Sequence, residues 1–424
     1  MKQIKRVLEI LAAGLLLGTL AICLVYLLPC GLLQKHASES LEILETEGEN
    51  PFLLEGYKGS SLDNYTDTLM ITQAVYQSEE PFYKAAMLSE RKSNGKDQPI
   101  ESLREYLEDS QSGEVVSYSR YWHGYLVVLK PLLTIMDYGK IRMLDLAAFL
   151  LILVLLLTGF LRRKLWCGLV AYTIALCSMF PMAIPKSLQF SSMFYVGSIA
   201  MLVLLYGYEK LEQRAWMPFV FLVTGMVTSY IDFLTYPVFT LGMPLVLLLV
   251  LSDEKSVSKL KKLVQNSIFW GIGYAGMWAG KWVMGSLLTE TNLFADALNV
   301  VSQRTSHEVY DEKISVIFAV LRNGYIYANL LGVILAAVLV IWMGYHLLRY
   351  RSNIKNSGWW LYVLVACGPI LWYCVTANHS YIHYWFTFRD LAVTFFALCM
   401  IPEVLRRNGK MEVLRRNGKM EGQA

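Results

Sequence analysis

The sequence predicts an all-α polytopic membrane protein of about ten transmembrane helices, with a long first extracytoplasmic loop that carries amphipathic surface helices. Three observations point there. Of 424 residues, 55% are hydrophobic and only 17% charged, with a mean hydropathy of +0.41, more apolar side chain than a soluble core buries. Apolar runs recur near residues 7–28, 141–161, 165–182, 191–208, 215–231, 236–251, 264–286, 324–348, 358–376 and 387–402. Each reaches or approaches the roughly 20 residues that cross a hydrocarbon core about 30 Å thick. Between alternate runs lie the basic clusters MKQIKR, RRK (162–164), YEKLEQR, SDEKSVSKLKK, RYRSNIK and RRNGK, and the positive-inside rule makes their side, with both termini, cytoplasmic.

The first run opens on a basic MKQIKR, lacks a small-x-small cleavage site, and reads as a retained anchor helix. In the first outer loop, about 29–140, SLDNYTDTLMITQAVYQ starts with a helix-cap signal and spaces Leu69, Met70 and Ala74 as a helix lying on the membrane would. SRYWHGYLVVLKPLLTIMDYGKIR reads as an interfacial or re-entrant segment, and the polar stretch from 89 to 114 as a mobile excursion. The short runs at 215–231 and 236–251 form a hairpin around Pro237. GIGYAG (271–276) matches GxGxxG but follows no strand; Gly276 and Gly280 instead give a GxxxG pair for close helix packing, and Lys281 is expected to snorkel. A later outer loop covers about 287–323. Residues 1–402 make one membrane domain, followed by a cytoplasmic tail, 403–424, with the tandem repeat EVLRRNGKM. The seven cysteines show no metal-ligand spacing, and the net charge of +4 is spread over topology clusters, so no nucleic-acid partner is expected.

On this topology the titratable groups crowd one boundary. Asp63 and Asp67 lie one helical turn apart; Arg120 and His123 sit in SRYWHGY; Lys186 follows the third run; Asp232 ends the fifth run before a proline break, where an unpaired carboxylate is costly. His307 and Arg322 belong to the later loop. NHSYIHYWFTFRD (378–390) adds His379 and His383 at i,i+4 spacing and Arg389 at the start of the last run. Acids beside cations at a membrane boundary fit a reaction in which a carboxylate takes a proton and arginine or lysine holds a phosphate. Aromatic-belt rings, lipid-headgroup contacts and simple helix capping by Asp63 are the bland alternatives.

The segments LDNYTDTLM, SRYWHGY, YIDFLTYP and NHSYIHYWFTFR, with a first helix, a long outer loop and a chain of membrane hairpins, resemble the GT-C superfamily of integral-membrane glycosyltransferases. That resemblance implies an inverting sugar transfer on the outer face of the bacterial cytoplasmic membrane. The donor would be a polyprenyl-phosphate-linked sugar and the acceptor an envelope glycan, lipid or polymer. It places the base at Asp63, supported by Asp67; the residue types themselves assign Lys186, Arg389 and His379 to phosphate and Asp232, Arg120, His123 and His383 to substrate. The loop has no Asp-Glu or Asp-x-Asp pair, which leaves a divalent cation as an open candidate, and WWDxG is missing, so oligosaccharide transfer to protein is not expected. A transporter or flippase, a polysaccharide polymerase or ligase, and a non-catalytic scaffold are the alternative readings.

Overall fold

In the computed structural model, residues 2–310, 312–355 and 357–421 are described, with backbone only from 408 onward. The chain begins with α1 (Lys2–Val25) and leaves the bundle for α2 (Cys30–Glu47), α3 (Asn64–Val75), α4 (Phe82–Leu88), β1 (Arg91–Ser93), α5 (Pro99–Glu108), β2 (Glu114–Val116) and α6 (Leu126–Leu133). It returns as α7 (Tyr138–Arg162), α8 (Trp166–Ser178), α9 (Leu188–Gln213), α10 (Met217–Ile231), α11 (Val238–Leu251) and α12 (Ser256–Thr289). A second excursion holds α13 (Leu293–Arg304), the short strands β3 (Glu308–Val309) and β4 (Glu312–Lys313), and α14 (Val316–Gly324). α15 (Leu330–Arg349), α16 (Trp360–Ala366), α17 (Gly368–Val375), α18 (Ala377–Ile382), α19 (Tyr384–Thr387) and α20 (Leu391–Glu421) complete it.

Helices occupy all ten apolar runs, but four of them, α1, α7, α9 and α15, are long and apolar enough to cross a membrane. Of the others, α12 and α20 are long but less apolar, and the rest are short or interrupted. α10, with 15 residues, spans only about 22 Å at 1.5 Å per residue, and Gly368 and Pro369 divide the ninth run into α16 and α17.

The two excursions gather at one end of the bundle. The chain start, the first turns of α10 and α12, and residues 403–407 lie at the other, the terminal end. Ion pairs knit that end together, Arg163 with Glu209 and Lys262 with Glu212. The expected tail from 403 is instead the continuation of α20. Glu403 is buried and accepts from Cys167 N (2.9 Å), and Arg407 donates to Val250 O (2.8 Å). The side chains of the second repeat copy lie outside the described residues.

The first excursion is more ordered than its composition implies. The polar stretch expected to be mobile pairs β1 with β2 in antiparallel register, and α5 buries Leu103 and Tyr106 against the core. α3 does not lie on a lipid surface: Met70, Ile71, Ala74 and Val75 are buried together with Thr68, Thr72 and Gln73. Two lysines fasten these helices at the carbonyl end of their dipoles. Lys130 Nζ donates to Ala74 O of α3 (2.7 Å), and Lys281 Nζ, fully buried rather than snorkelling, donates to Met87 O of α4 (2.8 Å).

Close backbone approach sets the α10–α12 contact. A Cβ on Gly225 would stand 2.1 Å from Trp270 O, and one on Gly273 2.1 Å from Leu222 O. The GIGYAG stretch is thus a packing surface inside α12. At Gly276 and Gly280 the close neighbours are Leu11 and Leu15 of α1.

Candidate functional site

Asp63 is the N-cap of α3. Its Oδ1 accepts from Thr66 N (3.0 Å), and its own N–H donates to Ser187 Oγ (3.0 Å), which ties the start of α3 to the start of α9. Oδ2 is buried and without a hydrogen-bond partner. Burial, and next the charge of Asp67, push its carboxyl up to about 7, against the pull of Thr66 and Arg389. A group so placed exchanges its proton near neutrality.

Asp67, one turn on, does different work. Both oxygens are occupied: Oδ2 by Tyr138 OH and Leu188 N (2.9 Å), Oδ1 by Gln189 N (3.3 Å). It clamps α3 to α7 and to the positive N-terminal end of α9, while burial raises its carboxyl to about 6. Asp67 is therefore a positioning residue that also raises the proton affinity of Asp63.

Asp63 opens into a cavity of about 710 Å³ walled by α3, the β1–β2 pair, the 117–125 loop, the end of α13 and α18–α19. Four cations line it, Lys58, Arg91, Arg120 and Arg304, and Asp63 is the one carboxylate among its described lining residues. Arg120 Nη1 lies 3.3 Å from Asp296, with its guanidinium over Tyr118; the Nε atoms of Arg120 and Arg304 are buried and unpartnered. His379 and His383 also line the wall, their rings 4.7 Å apart. His379 Nε2 donates to Leu234 O (2.8 Å), leaving Nδ1 as a free acceptor, and Arg304 Nη1 donates to His383 Nε2 (3.2 Å). Burial, with Arg304 adding, holds the His383 imidazole down to about 3, and burial lowers His379 as well, so both rings are neutral.

The other expected residues stand behind the wall or away from it. His123 is buried, held by Tyr118 O (2.7 Å) and Tyr125 OH (3.1 Å), and kept neutral by burial at about 3; it supports two wall tyrosines without reaching the cavity. Asp232 accepts from Leu234 N (3.0 Å) and Thr235 N (2.8 Å), shaping the turn whose Leu234 carbonyl fixes His379. Arg389 is fully buried, with Nη2 on Gly59 O (3.3 Å) and its guanidinium 3.8 Å above the Phe190 ring. It acts on Asp63 by charge alone. Lys186 is exposed and does not line the cavity, whose wall instead carries Lys58, Arg91 and Arg304, which the sequence did not single out. Lys58, Arg91 and Arg304 sit in ordinary polar stretches, where nothing but the fold distinguishes them. Among the described residues no three His, Cys, Asp or Glu side chains come together as ligands for a divalent cation.

No protein-family model, curated protein or solved structure matches this chain. What is known of the site is its geometry.

A second, apolar cavity of about 770 Å³ runs between α1, α6, α7, α9 and α10. Its wall follows α9 from Leu188 to Val203, about 22 Å at 1.5 Å per residue, most of a hydrocarbon core. Met70 and Tyr125 belong to both walls, so the groove and the cation-rich cavity lie on either side of these two residues.

Proposed function

We propose that the protein is an integral-membrane glycosyltransferase of GT-C type that moves a sugar from a polyprenyl-phosphate donor to a cell-envelope glycan, lipid or polymer. The wall shared through Met70 and Tyr125 carries this reading. It sets a cavity of four cations and one carboxylate directly beside a long apolar groove, an adjacency that suits one amphiphile with a phosphate head and a hydrocarbon tail.

In the step this requires, an acceptor hydroxyl gives its proton to Asp63 Oδ2 and its oxygen bonds to the anomeric carbon on the face opposite the phosphate. The sugar–phosphate C–O bond breaks, and its electron pair leaves on the polyprenyl phosphate. Arg91, Arg304, Arg120 and Lys58 take up the developing negative charge, and His379 Nδ1 accepts a substrate hydroxyl. On this reading the terminal end, which carries basic clusters, is cytoplasmic and the cavity faces outward.

The test is transfer of radiolabelled sugar from a panel of polyprenyl-phosphate sugars by purified protein in lipid vesicles. Transfer is expected to rise with pH through about 7 as Asp63 ionises, and to fall by about 10²-fold or more in Asp63→Ala. Full activity in that variant would overturn the reading. Movement of the lipid across the vesicle without sugar transfer would favour a translocator, which the length of the groove also suits.

A further inference from the structure

At the terminal end a third cavity, of about 440 Å³, lies between the first turns of α1, the end of α9, the start of α10 and α12. Phe219 lines both this cavity and the apolar groove, so the two are separated by a single side chain.

The chamber holds two features that ordinary packing leaves unused. Lys2 and Arg6, one turn apart on α1, are exposed at its rim, and neither forms an ion pair among the described residues. Lys262, by contrast, is spent on Glu212 (2.5 Å) and Glu254 (2.9 Å). Deeper in the wall, Asn266 is 1% exposed; its Nδ2 donates to Lys262 O (2.6 Å), which fixes Oδ1 as the other end, and Oδ1 has no donor. A buried acceptor left without a donor is unfavourable. The N-terminus of α10, the positive end of its dipole, adds Met217 and Pro218 to the same wall.

We propose that this chamber is a headgroup site for a glycerophospholipid whose headgroup carries a hydrogen-bond donor beyond its phosphate, with one acyl chain entering the groove past Phe219. Lys2 and Arg6 meet the phosphate, and the donor, a glycerol hydroxyl or an ethanolamine ammonium, fills Asn266 Oδ1. A phosphocholine head brings the same phosphate and no donor. Sugar transfer plays no part in the inference.

The test titrates the full-length protein, freed of lipid in detergent, with phosphatidylglycerol, phosphatidylethanolamine and phosphatidylcholine of identical chains, and counts bound lipid by native mass spectrometry. One or both donor-bearing lipids are expected to bind about tenfold tighter than phosphatidylcholine, and whichever does names the donor. Arg6→Gln, on an exposed position, should weaken all three severalfold, and Asn266→Ala should bring the ratio to phosphatidylcholine close to one. Equal binding of all three lipids by the unmodified protein, or unchanged binding in Arg6→Gln, overturns the proposal whether or not Asn266→Ala folds. A folded Asn266→Ala that keeps its preference overturns it as well.

Discussion

Replacing Asp63 with asparagine keeps the cap and removes the charge. Asparagine caps a helix as well as aspartate does, so the bond from Thr66 N survives. The carboxyl is raised from its ordinary 3.8 to about 7, first by burial and second by Asp67. A carboxyl raised on folding binds its proton more tightly in the folded protein. Stability is therefore fullest below about pH 4 and falls as pH rises through 7. At about 1.4 kcal/mol per tenfold change in proton affinity, the ionised wild type bears about 4 kcal/mol of cost above pH 7 that Asp63→Asn escapes. The variant should unfold roughly 5 °C higher than wild type at pH 8 and only about 1 °C higher at pH 4.5, while losing transfer activity. Fluorescence-monitored thermal unfolding in detergent across that range reads the difference. A variant less stable at pH 8, or a gain equal at every pH, would refute the argument that a buried, proton-exchanging carboxyl sits at this cap.

Two further outcomes follow from packing. Gly225→Ala should cost about 3 kcal/mol, because its methyl group meets Trp270 O and forces α10 from α12, whereas Gly271→Ala, with nothing within 4 Å, should leave the unfolding midpoint unchanged; yield and thermal midpoint compare them. Ala148→Phe, which narrows the groove, should raise KM about tenfold for a long-chain polyprenyl donor and leave a short-chain water-soluble analogue unaffected in the same transfer assay.

The apolar runs were legible because a helix must be apolar along its length to face lipid, and each run became helix. Run length was less telling. Pro369 and the turn after Ile231 break continuity in ways that a hydropathy window averages away. Asp63 was found through its cap signal, and the structure uses it as that cap. The i,i+4 spacing made Asp67 its supporting partner in the sequence; the arrival of Tyr138, Leu188 and Gln189 from far along the chain is what occupies that second carboxylate. α3 looked like a surface helix because periodicity registers an apolar face without saying whether lipid or protein covers it. Arg91 and Arg304 carried no signal, since a cation in a polar loop is the ordinary case. Their meaning lies in a juxtaposition across more than 200 residues that no local pattern encodes.

The long reach of the fasteners bears on how the protein is made. The segment that carries Asp63 leaves the ribosome early, yet the bond that caps α4 waits for Lys281, 194 residues after Met87. The guanidinium against Gly59 waits for Arg389, 330 residues on. Translation therefore delivers the Asp63 carboxylate long before the groups that hold its surroundings in place. A nascent chain halted before α18 has Asp63 but lacks His379, His383 and Arg389, so the surroundings of the carboxylate are completed only near the end of synthesis.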